Sequence, residues 1–316
     1  MKLLIPMATS ATEPAVYYDP ELLEAVVGEA MRRQGRLPKS MLLEIERLYQ
    51  TIEPENRDKA FQSLNREMFE NQGHHAWLLE RLRAFPEALS GIEESFVHRA
   101  RTPFDAGAEL RDRKDGGKAL FICLEPTVFE QRIDGFVNHE LQHIEDILNP
   151  NFGFYKPRPL ADSPARESLV RDRLKAVWAA SVDGRLQRRG LEPLRNEAAR
   201  RTEFGAFYRS LPDEALQTAF DKLWSENSPK FGDLLDMARS VSATLAWAGI
   251  EDRESYSDDQ IDPILCPICR MPSPEKELDL SPEMIVEAMG DDPEWLPAFG
   301  MCSRCAEHYR VRTGQW

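Results

Sequence analysis

The sequence predicts a mainly α protein of the α+β class, with a small strand region and a small cysteine-bearing module at the C-terminal end. Three observations carry this. Apolar residues recur three and four apart through most of the chain, the spacing of a helix with one buried stripe. One short run, Lys118-Ala119-Leu120-Phe121-Ile122-Cys123-Leu124, is instead almost continuously apolar and partly β-branched or aromatic, as a buried strand is. Four of the five cysteines fall in two Cys-x-x-Cys pairs, both beyond residue 264.

Taken in order, residues 1–100 form a helical N-terminal region. Amphipathic helices are expected over 21–31, 39–52, 57–70 and 75–85, punctuated by Pro20, Pro38, Pro54 and Pro86. A polar, Gly-containing stretch over 112–117 precedes the strand at 118–124. Pro126 ends that strand. Thr127 and Glu130 have the spacing of a capping box, and helix periodicity runs on to about Leu148, where Pro150 stops it. Further helices are expected over 168–189, 194–211, 213–226 and 230–247. Residues 101–250 thus make up the core. Residues 251–263 are acidic and poor in apolar side chains, and read as a linker. Residues 264–316 carry both cysteine pairs, with a short helix expected from Pro282 to Met289 behind Ser281 as its cap.

Composition excludes several classes. The formal net charge is -14, which argues against a broad nucleic-acid or anionic-membrane surface. No run of eighteen apolar residues is present, so no membrane-spanning helix is expected. The apolar start of the chain is short and broken by Pro6, unlike a secretory leader. Paired cysteines fit metal binding in a reducing compartment better than a disulfide framework, so a cytoplasmic location is expected.

The expected helix ending near Leu148 carries His139-Glu140-Leu141-Gln142-His143. Four residues make slightly more than one helical turn, so the two histidines project from nearly one face and can share one tetrahedral zinc ion. Glu140, beside the first ligand, is placed to take a proton from a water that the metal activates, which suits amide hydrolysis. Through His139, Glu140 and His143 the chain resembles the zincin metallopeptidases, which implies a zincin-like helical core over 101–250. The resemblance also implies a third protein ligand downstream. The metzincin pattern needs Gly and then His, and this chain has Asp146 and Asn149 there. The SprT-like proteases combine the motif with a zinc ribbon but use a third histidine, and the only later histidine here is His308.

A carboxylate is therefore expected as the third ligand. Asp183 is the first candidate. It sits beside an apolar stripe with Ala176, Ala179 and Ala180, in a stretch that looks like the Trp-to-Asp helix of metallopeptidase-like domains found with von Willebrand factor A modules. Glu197 is the alternative, in Asn196-Glu197-Ala198-Ala199, which is similar to the downstream Glu helix of gluzincins. Glu167 is a third. Asp146, seven residues after His139, is either an acceptor for a ligand imidazole or a surface acid at the helix end.

Cys266-Pro267-Ile268-Cys269 and Cys302-Ser303-Arg304-Cys305 form a four-thiolate signature for a structural zinc site. Each pair makes a knuckle, and two knuckles close a tetrahedron with no open position. The module resembles zinc-ribbon or treble-clef units, and a protein partner is expected there. His308, Arg310 and Arg312 form a small basic tail.

The sequence thus reads as a zinc metallopeptidase with one catalytic and one structural zinc, acting on a peptide or protein substrate. Two alternatives stand beside it. One is a non-catalytic adaptor that uses the zincin-like platform and the zinc module to bind a partner. The other is a metal-dependent amidohydrolase acting on a small molecule.

Overall fold

Five strands, contributed from both sides of five α-helices, organise the N-terminal half of the protein. The computed structural model describes residues 4–7, 14–34, 39–102, 105–114, 116–157, 160–161, 164–251, 264–273, 277–293 and 295–314. The stretch read as a linker lies, from 252 to 263, outside the described residues. The fold is mainly helical, with a small strand region and a four-cysteine module at the C-terminal end. No described helix is long and apolar enough to cross a membrane.

The chain opens with β1 (Ile5–Met7) and β2 (Ala15–Tyr18), followed by α1 (Pro20–Gln34), α2 (Lys39–Thr51), α3 (Arg57–Asn71), α4 (His74–Arg83) and α5 (Pro86–Ser90). Then come β3 (Glu94–Arg99), β4 (Gly107–Asp112) and β5 (Lys118–Leu124). The sheet order is β1-β2-β3-β5-β4. The inner strands β2, β3 and β5 run parallel, while β1 and β4 are antiparallel edges. One sheet face is buried through Val16, Tyr18, Val97, Leu120, Ile122 and Leu124, and these share a core with Leu22, Phe69, Leu78, Phe129 and Leu141 from the helices. Each such apolar side chain contributes roughly 1.5–3 kcal/mol by leaving water. On the other face Tyr17, Phe96 and Phe121 stack across three strands, with ring centroids 5.2 and 4.9 Å apart.

The expected strand at 118–124 is β5. The helical reading of the first hundred residues missed β1, β2 and β3. β3, Glu-Ser-Phe-Val-His-Arg, alternates buried and half-buried side chains, the period of a strand, but it is too short to stand out among helical stripes. Edge strand β4 was also unread. It holds one strand partner, β5, and none of its side chains is fully buried.

The single helix expected to end near Leu148 is two, α6 (Pro126–Gln131) and α7 (Asp134–Leu148). Thr127 is inside α6, whose N-cap is Glu125. Arg132 adopts the left-handed region, φ 51, while Ile133 donates its N–H back to the Val128 carbonyl at 3.0 Å. That is a helix stop of the Schellman kind on a residue other than glycine, which composition does not announce. α8 (Pro164–Arg188), α9 (Glu197–Phe207) and α10 (Asp213–Ser225) follow. The helix expected over 230–247 is likewise divided, into α11 (Phe231–Arg239) and α12 (Val241–Ala248). Ser240 is extended between them, and its side chain caps the second helix by accepting from Ala243 N–H.

Two compact units result. One comprises Met1–Lys156, Ala176–Glu203 and Asp221–Leu234; the other comprises Pro157–Lys175, Phe204–Phe220 and Leu235–Trp316. In the second, Phe204 stacks on Tyr208 at 4.4 Å, and the Tyr208 hydroxyl donates to the Met237 carbonyl at 2.9 Å. Its C-terminal part contains β6 (Ile264–Leu265), antiparallel to β7 (Pro272–Ser273), then α13 (Pro282–Asp291) and α14 (Ser303–Arg312). Ser281 caps α13 as expected, accepting from Met284 N–H. Met284, Ala288, Trp295, Met301, Ala306 and Tyr309 form a small core there with three of the cysteines.

Candidate functional site

The N-terminal half of α7 is clamped before the motif begins. Asp134, in its first turn, accepts from Trp77 Nε1 at 2.6 Å and from Arg81 at 2.8 Å, both on α4. Gly135 lies against the Pro193 carbonyl, where a Cβ would come within 2.5 Å. Asn138 donates its amide to the Glu192 carbonyl at 3.1 Å. These contacts fix the rotation of the helix and therefore the face that carries His139, Glu140 and His143.

His139 is buried, and its Nδ1 donates to Asp183 Oδ1 at 2.7 Å. A carboxylate only accepts, so this bond puts a proton on Nδ1 and turns Nε2 away from Asp183. His143 Nε2 stands 3.2 Å from His139 Nε2, with the two rings edge-to-face. Two nitrogens held at zinc-ligand distance on a tetrahedron would be about 3.3–3.4 Å apart. Burial, then the charges of His139, Arg185 and Arg200, hold the His143 imidazole well below its ordinary range.

Glu140 is half-buried between the histidines and the sheet edge. Its Oε2 accepts the Ala108 N–H of β4 at 2.8 Å. Burial raises its carboxyl above the ordinary value, with His139 and the Ala108 N–H pulling the other way. Ala108 therefore turns its N–H outward, away from β5. Among the described residues, β4 has no strand on that side.

Asp183 is fully buried on α8, but it lies on the Nδ1 side of His139 and not beside Nε2, where the third ligand was expected. Besides His139 it accepts Leu194 N–H at 3.0 Å, Arg195 N–H at 3.2 Å and Arg200 Nε at 2.6 Å. Burial pushes its carboxyl up, but His139 and Arg200 outweigh that and hold it below the ordinary value. Four donors occupy its two oxygens. Glu197 is partly exposed and pairs with Arg201 at 2.7 Å, Glu203 pairs with Arg200 at 2.6 Å, and Glu167 pairs with Arg171 at 3.1 Å. Among the described residues, no third His, Cys, Asp or Glu converges with the histidine pair.

Asp146 meets neither expectation for it. It is buried, and it takes both arms of Arg185 at 2.5 and 2.6 Å and Trp178 Nε1 at 2.7 Å. The roles of Trp178, Arg185 and Arg200 were missed. Their spacing on α8 and α9 matches an ordinary packed helix, and only their partners, Asp146 on α7 for Trp178 and Arg185 and Asp183 on α8 for Arg200, distinguish them.

The cysteine pairs do converge. The sulfurs of Cys266, Cys269, Cys302 and Cys305 all lie within 4.8 Å of one another, a cluster that could hold a metal ion. Cys269 Sγ is 3.7 Å from Cys302 Sγ, close to the roughly 3.8 Å edge of a zinc tetrathiolate. The first knuckle is closed by β6 and β7 and turns at Arg270, φ 57. The second begins α14, with Cys302 as N-cap, where the helix end favours negative sulfur. Burial raises the Cys266 thiol, but the backbone N–H groups of Cys302, Cys269 and Ile268 reverse this and bring it down to about 7. The basic tail is neutralised: Arg310 pairs with Glu277, and Arg312 with Asp291 and Glu287.

Comparison with protein-family models, with curated proteins and with solved structures found no significant match.

Proposed function

We propose that the chain is a zinc-dependent hydrolase of peptide bonds, with a catalytic zinc held by His139 and His143 and a structural zinc held by Cys266, Cys269, Cys302 and Cys305. One observation carries the catalytic part: the two Nε2 atoms of the motif face each other at 3.2 Å, with the Glu140 carboxylate on the same helical turn. Zinc bound there supplies Lewis-acid polarisation of the substrate carbonyl and acidifies water. Glu140 does the proton work. Ala108 N–H holds Oε2, which leaves Oε1 to take a proton from the attacking water and pass it to the departing amine. Asp183 is the orienting carboxylate behind His139 in this reading.

The outer edge of β4 supports a peptide substrate. Its main-chain groups run beside Glu140, and an extended peptide can add to such an edge through backbone hydrogen bonds. An adaptor function is the second reading. It is favoured by the four-cysteine cluster being, among the described residues, the one with a complete set of converging ligands.

Elemental analysis tests both. Wild type is compared with His139→Ala/His143→Ala and with Cys266→Ser/Cys302→Ser. Two zinc ions, one lost in each double variant, support the hydrolase. One zinc, lost only with the cysteines and not regained on adding zinc, removes the catalytic site and leaves the adaptor.

A further inference from the structure

One helix, α8, supports both histidines of the motif, and it does so by two different devices. Asp183 fixes His139 through a hydrogen bond to Nδ1. His143 has no such carboxylate. Among the described residues its one hydrogen-bond contact is Nε2 to His139 Nε2. An imidazole turns easily about its second side-chain torsion, whose well is broad and roughly two-fold. A half-turn would put Cε1 where Nε2 stands and break the convergence of the pair.

Trp178 lies against the ring that would have to turn. Its ring meets His143 edge-to-face, with centroids 4.6 Å apart and planes at 82°. The indole is itself held on three sides. Its Nε1 donates to Asp146 Oδ2 at 2.7 Å, Phe152 stacks on it at 5.3 Å, and Phe231 abuts it at 5.8 Å. Asp146 is in turn pinned by the fork of Arg185 at 2.5 and 2.6 Å, and Arg185 donates through Nε to the Ser181 carbonyl at 3.3 Å. Asp146 lies one turn beyond His143 on α7, and Trp178, Ser181 and Arg185 lie on successive turns of α8. The chain of contacts therefore closes between two helices.

We propose that Trp178, locked by Asp146 and Arg185, is the positioning residue for His143. It sets the ring orientation in which Nε2 faces His139. As a statement about metal binding this rests on the reading of the pair as a zinc site; as a statement about ring orientation it does not.

The test uses the full chain with its cysteine site loaded with zinc. The variants are Trp178→Leu, Trp178→Phe, which keeps a ring but loses the donor to Asp146, and Asp146→Asn. Imidazole nitrogen NMR, assigned by difference with His143→Gln, reports ring orientation without added metal. Cobalt titration against a chelator then reports affinity at the pair. The expected result is one sharp His143 ring signal in wild type, a doubled or broadened one in Trp178→Leu, and cobalt binding weaker by about 10–100-fold, the usual effect of removing a support behind a ligand. Trp178→Phe and Asp146→Asn should fall between. His143 signals and cobalt affinity within twofold of wild type in Trp178→Leu would overturn the proposal. If that variant fails to fold, Trp178→Phe decides by the same criteria. If wild type takes up no cobalt while the variants still lose the single ring signal, the metal reading fails and the positioning role stands.

Discussion

His139 Nδ1 and Asp183 Oδ1 are 2.7 Å apart, and this bond decides which nitrogen of His139 faces His143. Asp183 also holds Arg200 and two backbone N–H groups, so its charge is used in full. Asp183→Asn would turn an amide N–H₂ towards donors. The expected outcome is a loss of about 2–4 kcal/mol of stability, together with zinc affinity at the histidine pair lower by about 10–100-fold. Denaturant unfolding and a zinc titration measure the two. Unchanged affinity would show that Asp183 does not orient the imidazole.

Glu140→Gln keeps the size of the side chain and an acceptor for Ala108 N–H but removes the base. Zinc content should match wild type while turnover of a quenched fluorescent peptide falls by about 10²–10⁴-fold. Turnover that survives in the zinc-loaded variant would refute the role given to Glu140.

The buried histidines give acid sensitivity with a definite sign. Burial, with the charge of Arg132, holds His74 down at about 4 against a smaller opposing hydrogen bond from the Phe129 backbone, and His143 is also well depressed. An unfolded chain takes up these protons near pH 6.5, and the folded chain takes them up only at lower pH. The unfolded state therefore binds more protons in that window, and stability falls as the pH drops from about 7 towards about 4. His74 alone should contribute on the order of 2 kcal/mol to that fall. Asp183 acts further down: the stability it provides is present above about pH 4 and is lost as the pH falls through its depressed value. Melting temperatures of wild type and His74→Phe across this range test the point, with a shallower slope expected in the variant.

Gly184 follows Asp183 on α8, and a Cβ there would lie 2.3 Å from the Trp224 carbonyl oxygen, a backbone atom that cannot step aside. Gly184→Ala should destabilise by about 1–3 kcal/mol. Gly205→Ala is the control. Its nearest neighbours are the Leu216 methyls at 3.6 and 3.7 Å, so the change should be neutral or stabilise by up to about 1 kcal/mol. Equal melting points for the two variants would contradict the close approach.

Removing zinc from the cysteine cluster should unfold its small core, since so few apolar residues are buried around it. Trp295 is 2% exposed within that core, and its Nε1 donates to the Gly300 carbonyl at 3.0 Å. Strong chelation, or Cys266→Ser/Cys302→Ser, should shift tryptophan emission to the red. The far-ultraviolet signal should lose the contribution of α13 and α14. An emission spectrum indifferent to chelation would argue that the module stands without metal.

Much of this protein is written in local pattern. The helix stripes, strand β5, the Ser281 cap and the four-cysteine cluster are each set by neighbours within a few turns, or by a spacing that has one common use, so they are legible without a structure. The helix breaks at Arg132 and Ser240 are not, because a left-handed arginine and an extended serine are rare choices that packing imposes. Strands β1 to β4 are hidden too: each is short, β2 and β3 find each other only across five intervening helices, and β4 shows no alternation of buried and exposed side chains.

The histidine motif divides in the same way. Helical geometry alone puts His139, Glu140 and His143 on adjoining positions of one face. Which nitrogen of each ring points inward is decided only by α8, through Asp183 behind one histidine and Trp178 beside the other. The carboxylate that looked like a ligand in the sequence turned out to face the opposite ring nitrogen. Sequence fixes which groups are near on one helix, while hydrogen-bond directions between helices depend on how their faces meet, and that is settled by the packing of the whole core.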